Sequence, residues 1–172
     1  MTSLLELIKT RRSCRSFKPD PVPHELIDQI IEAGLYAASG KGLQSQIIIA
    51  VTNQALLKEL NRINGTFGGG PEPFYGAPCV LIVAAETSNG SQAYDGALTL
   101  GNMMLMAHDL GLGSCWIHRA RQEFETDFGR NLLQKLGLKG NYEGVGHLAL
   151  GYPDFPQSYV FPRRPNRAFY IE

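Results

Sequence analysis

Between Lys9 and Lys18 the chain reads Lys-Thr-Arg-Arg-Ser-Cys-Arg-Ser-Phe-Lys, five cations in ten residues with no acid among them. Over 172 residues the formal net charge is zero, so this is a local concentration. A second group, Arg163, Arg164 and Arg167, lies near the other end, and the two segments hold eight of the sixteen Lys and Arg. Planar guanidinium forks around a serine hydroxyl suit a phosphate dianion. Cations at a helix end also favour its macrodipole, so the first cluster alone does not decide between the two readings. Arg11, Arg12 and Arg15 are mixed with Ser13, Phe17 returns the chain to the core, and the second cluster sits in a tail long enough to reach back. These features favour an anion site. Each charge-assisted bond to a phosphate contributes roughly 1.5–3 kcal/mol.

The remaining motifs carry no acid, base or nucleophile signature. Ala38-Ser39-Gly40-Lys41-Gly42 is not a P-loop. Gly34 and Gly40 are separated by five residues instead of four, Lys41 is followed by Gly42 instead of Ser or Thr, and the order is helix-loop-strand. Such a Gly/Ser loop either ends a helix or lets backbone approach a flat ring. Gly111-Leu112-Gly113 has no further spaced glycine, which makes a dinucleotide fingerprint weak. Trp116 reads as core by default, and His24, His108, His118 and His147 are isolated from one another in sequence. There is no GxSxG, HExxH or paired-carboxylate pattern. Phosphate grips without a protein nucleophile suit a cofactor that brings its own chemistry, and flavin meets that requirement.

Several elements must position these residues. Ser3 with Glu6 resembles a capping box opening a short helix to about residue 11. Leu26, Ile27, Ile30, Ile31 and Leu35 at helical spacing predict a helix over 24–38. Residues 46–52 read as a buried strand, after which Thr52 or Asn53 caps a helix carrying Leu56, Leu57, Leu60 and Ile63. A Gly/Pro-rich loop over 64–78 leads to a second buried strand, 79–85. A long helix is expected from about 91 to 110, stopped by Gly111. Strands follow near 113–118 and 145–150, with one helix between them at about 122–136, and residues 152–172 look extended. Mixed helices and strands without strict alternation favour an α+β sandwich over a doubly wound sheet. The long helix is apolar nearly all round (Ala97, Leu98, Leu100, Met103, Met104, Leu105, Met106, Ala107, Leu110), which predicts burial on more than one side; a partner subunit covering its second face is favoured over a central helix inside a monomeric core.

The length fits one domain, 1–172, and 44% hydrophobic residues make the chain globular. A pI near 6.9 argues against nucleic-acid or acidic-membrane partners. No apolar run approaches the roughly 18 residues of a membrane span. The apolar residues before Lys9 precede the cations, the wrong order for a signal peptide. Cys14, Cys79 and Cys115 form no CxxC and no zinc set; reduced thiols in a cytoplasmic protein are the simplest account.

Six ordered segments resemble the FMN-dependent nitroreductase family. Arg11-Arg12-Ser13-Cys14-Arg15-Ser16-Phe17 is similar to its N-terminal signature, and Ala38-Ser39-Gly40 with Gln44 to its second motif. Phe74-Tyr75-Gly76-Ala77-Pro78, Gly111 to Ile117, Leu150-Gly151-Tyr152-Pro153 and Pro162-Arg163-Arg164-Pro165 continue the pattern in order. The resemblance implies a nitroreductase-like α-β-α sandwich with a central mixed, mostly antiparallel sheet, and a homodimer with FMN sites at its interface. It implies that Arg11, Arg12, Ser13 and Arg15 hold the phosphate, ribityl chain and pyrimidine edge, with Arg163 and Arg164 closing on the phosphate. Ala38, Ser39 and Gly40 come from the other subunit, Asn64 reaches the flavin, and Trp116, Ile117 and His118 lie against it, with backbone amides around Ile117 and His118 near N5. The implied activity is NAD(P)H oxidation with reduction of nitroaromatics, quinones or similar small acceptors in a ping-pong cycle through flavin N5. A non-catalytic FMN-binding protein and a substrate-specific flavin dehalogenase share these residues. The chain departs from the family at Gly42, where Asn is frequent, at Ser45-Gln46, where Pro-Trp is frequent, and at His118-Arg119, where small residues are common.

Overall fold

The computed structural model describes residues 3–155 and 160–172. Ten principal elements run in the order α1 (Leu4–Thr10), α2 (His24–Leu35), β1 (Gln46–Val51), α3 (Gln54–Asn64), β2 (Cys79–Glu86), α4 (Gln92–Asp109), β3 (Gly113–Ile117), α5 (Ala120–Phe124), α6 (Asp127–Lys135) and β4 (Tyr142–Gly151). The four strands form one antiparallel sheet in the order β1-β2-β4-β3. Among the described residues a parallel element enters only as an isolated bridge between Ser13 and Ser114.

Alternation along the central strands builds two cores. Cys79, Leu81 and Val83 of β2, with Leu148 and Leu150 of β4, face α2 and α4 through Ile27, Ile30, Leu100, Met103 and Ala107. Val80, Ile82 and Ala84, with Ala149, face the opposite way onto Leu57 and Leu60 of α3, Phe124 of α5 and Leu132 of α6. Successive side chains leave a strand on opposite faces, so an unbroken apolar run such as β2 needs helices on both sides. The result is the expected α-β-α sandwich.

Local chemistry sets most boundaries. Ser3 Oγ accepts from Glu6 N at 3.3 Å and Asn53 Oδ1 accepts from Leu56 N at 3.0 Å, so both expected caps form. Gly111, at φ +75, ends the run after α4. Three boundaries differ from the sequence reading. The helix expected over 122–136 is two helices, because the chain turns at Glu125 and Thr126 and packs Gly129 against Phe124. The α2 helix stops at Leu35, and β4 begins at Tyr142. Pairing extends β4 past a bulge at Val145, where Val83 faces Gly146 and Ala84 faces Gly144. Of the segment read as an extended tail, 156–159 lie outside the described residues; 160–172 carry no helix or strand and are exposed.

Candidate cofactor site

The first basic cluster lies along the outer edge of the sheet. Cys14 N donates to Ser114 O at 2.9 Å, Lys18 N to Tyr152 O at 2.9 Å and Asp154 N to Ser16 O at 3.1 Å. Residues 13–18 are thereby stitched to the start of β3 and the segment after β4. Gly113 leaves room for this, since a Cβ there would stand 2.7 Å from Cys14 Sγ. Arg11 is half-buried, and its buried Nη1 makes no hydrogen bond. Burial first, then the charges of Arg12 and Arg163, hold its pKa below the usual guanidinium value. Like charges gathered on a partly desolvated guanidinium form an anion-seeking arrangement. Beside Arg12 a cavity of about 220 Å³ is lined by Thr10, His108, Gly111, Leu112, Gly113 and Pro153. His108 Nε2 lies 2.8 Å from Thr10 Oγ1; burial, then Arg11 and Arg12, push the His108 pKa down, and Asp109 opposes them.

The other end of β3 is held differently. From Ser114 to Ile117 the strand advances about 10 Å. Ile117 is buried and His118 is exposed. Trp116 packs on the α2/α4 side against Gly146, whose missing Cβ leaves its indole room. Asn64, at the end of α3, is 0% exposed and donates through Nδ2 to the His118 carbonyl at 2.8 Å and to Glu123 Oε1 at 2.6 Å. The side chain expected to reach a ligand is thus committed to the protein's own backbone, a position that sequence spacing does not reveal. Glu123 Oε2 lies 2.8 Å from His147 Nε2, both residues also fully buried. Sequence reading missed Glu123 altogether and left His147 isolated. Arg119, at φ +83, donates from Nε to Phe67 O at 2.8 Å and from Nη2 to Gly68 O at 2.9 Å.

The third set sits elsewhere. Gly40 N donates to Asp95 Oδ1 at 2.9 Å, and Asp95 Oδ2 accepts from Ser91 Oγ at 2.8 Å. A Cβ on Gly40 would meet Ser91 Oγ at 2.5 Å. The nearly buried Asp95, another residue that sequence reading missed, thus pins the loop of Ala38, Ser39 and Gly40 to the start of α4. The cluster around Arg11 and Arg12 adjoins His108 near the other end of that helix. Its 18 residues span about 27 Å, so one protomer does not bring Ala38–Gly40 to the arginines.

Residues 8–66 and 69–152 match the sequence profile of the Nitroreductase family. The chain belongs to the nitroreductase family. A Methanothermobacter thermautotrophicus relative, named for NADH dehydrogenase and NAD(P)H nitroreductase activity, is 33% identical over 117 residues, 66% of this chain. That match spans only 59% of the relative's length. A Bacillus subtilis FMN reductase [NAD(P)H] is 27% identical over 190 residues, covering 98% of this chain and 72% of the relative. The crystal structure of a nitroreductase with bound FMN from Bacteroides fragilis superposes with a TM-score of 0.81 at 31% identity, over 100% of this chain and 98% of that one. Within this nitroreductase-family chain a cavity of about 580 Å³ lies between α3 and α6 and includes none of the candidate residues. Glu59 and Arg62 on its wall pair with each other at 2.7 Å.

Proposed function

We propose that this chain is an FMN-dependent NAD(P)H oxidoreductase that reduces small acceptors such as nitroaromatics and quinones. The observation that carries the reading is the half-buried Arg11, whose Nη1 makes no hydrogen bond, in an arginine run stitched to the start of β3, a strand whose far end is fixed where Asn64 holds the His118 carbonyl. The residues fit the cofactor. Arg11, Arg12, Ser13 and Arg15, with Arg163 and Arg164, would hold a phosphate and the polar edges of the mononucleotide, and a dianion there reverses the repulsion on Arg11. Ile117 and His118 would supply backbone against the ring, with Trp116 behind them as packing. Asn64 acts here by gripping the His118 carbonyl. When bound, FMN accepts and donates hydride at N5. The chain's residues bind, orient and exclude water, and none is assigned a proton or a nucleophile.

We further propose a homodimer that completes the site. One side of α4 carries the exposed Tyr94 and Leu98, followed by the partly buried Gly101 and Leu105, a helical stripe. Leu4, Leu5 and Ile8 of α1, Leu35 at the end of α2 and Tyr36 after it are also exposed. Two α4 helices packed antiparallel about a two-fold axis place the Ala38–Gly40 loop of one subunit beside the arginines of the other. A single domain over 1–172, with residues from 152 onward as an arm that closes on the phosphate, belongs to the same reading.

Purified protein is expected to be yellow and to oxidise NADH or NADPH with nitrofurazone or menadione as acceptor. Arg12→Ala combined with Arg163→Ala should weaken FMN binding by a few kcal/mol, at roughly 1.5–3 kcal/mol per contact, as read by fluorescence titration. A colourless protein with no affinity for added FMN refutes the proposal. A flavoprotein with no NAD(P)H oxidation is a binding protein instead.

A further inference from the structure

Behind the end of β3, three side chains from three elements (Asn64 of α3, Glu123 of α5 and His147 of β4) are all 0% exposed and joined in one line. Asn64 Nδ2 spends its two hydrogens on Glu123 Oε1 and the His118 carbonyl, and Glu123 Oε2 takes His147 Nε2. With both carboxylate oxygens accepting, the network assigns the ring proton to Nε2. Buried polar groups are costly compared with an apolar core, and these touch neither the basic cluster nor the surface. What they hold at the site is one backbone atom, the His118 carbonyl oxygen. In a trans peptide the carbonyl and the following N–H point in opposite directions. A carbonyl drawn inward therefore turns the Arg119 N–H outward, to the side where His118 is exposed. The Arg119 clamp on Phe67 O and Gly68 O holds the same peptide from beyond, in a left-handed conformation that non-glycine residues seldom adopt.

We propose that Asn64, Glu123 and His147 are positioning residues that lock the His118–Arg119 peptide with its N–H, and not its carbonyl, facing flavin N5, and so lower the flavin's reduction potential. The inference rests on the FMN reading above. N5 accepts a hydrogen bond in oxidised flavin and carries a hydrogen itself once reduced. An N–H aimed at it favours the oxidised ring. A released peptide loses that donor, and its carbonyl is free to turn outward and accept from the reduced ring. Both changes raise the potential.

The test is the midpoint potential of bound FMN in wild type, Asn64→Leu and Glu123→Gln, measured with the FMN dissociation constant and a thermal melt. Asn64→Leu leaves the phosphate grip intact, so FMN stays bound. Its potential should rise by about 30 mV, a tenfold gain in relative affinity for reduced flavin in a two-electron couple. Glu123→Gln still accepts from Asn64, and the His147 ring can change tautomer to accept from the new amide; it should melt lower but keep the wild-type potential. If Asn64→Leu does not accumulate as folded protein, Asn64→Ser, too short to reach the carbonyl, is measured in its place. An unchanged or lowered potential at residue 64, with FMN bound, overturns the positioning role and leaves the FMN reading standing. Wild-type protein that binds no FMN overturns both.

Discussion

A phosphate at the cluster would change the charge that His108 experiences. In the free protein, burial and then Arg11 and Arg12 depress its pKa against the opposing pull of Asp109, and the Thr10 hydroxyl lies beside its ring. A bound dianion offsets the two arginines, so the His108 pKa rises in the complex. The complex then holds more protons than the free protein plus ligand, and by linkage affinity gains as pH falls through the range in which His108 takes up its proton. The phosphate's own second ionisation, near about 6, works in the opposite sense. FMN titrations of wild type and His108→Gln separate the two effects: on acidification the variant should lose more affinity than wild type. Parallel pH profiles would place His108 outside the phosphate's field.

Among the elements, α4 and β4 make a close approach that depends on one missing side chain. A Cβ on Gly96 would stand 2.5 Å from Val145, the bulged residue of β4. Gly96→Ala therefore forces the helix off the sheet or distorts Val145, a cost of about 1–3 kcal/mol despite alanine's better helix propensity. A lowered denaturation midpoint with unchanged slope checks this; equal or greater stability would mean that the bulge gives way without cost. The α4 helix also shows how far the pattern reading reached. Its apolar residues predicted burial on more than one side, but spacing does not say which residues face where. Met103 is 0% exposed in the core with α2, whereas Leu98, five positions earlier, is 51% exposed.

For the whole molecule, that division separates folding from assembly. Leu98→Glu changes an exposed position and should leave the protomer folded. If two α4 helices form the seam, the variant should run as a monomer and lose FMN together with its partner, because Ala38–Gly40 and the arginines then sit on separate molecules. Size-exclusion chromatography with light scattering and an absorption spectrum read both properties at once. A monomer that keeps its flavin refutes the shared site.

The basic cluster and the ordered motifs were legible in the chain because each is a run of neighbouring residues, and the two-sided burial of β2 was legible because a strand's pattern repeats every second residue. Caps at Ser3 and Asn53 were legible for the same reason: the hydrogen bonds that make them span three residues. Asn64, Glu123 and His147 had no such signal. Asn64 and Glu123 lie 59 positions apart, Glu123 and His147 a further 24, and only the packing of α3, α5 and β4 brings them to one carbonyl. The opposite placement of the Ala38–Gly40 loop and the arginines likewise emerged from the length of α4, a distance in space that residue order does not encode. Short-range chemistry is written along the chain; which distant groups share a buried volume is decided by how the layers close on one another.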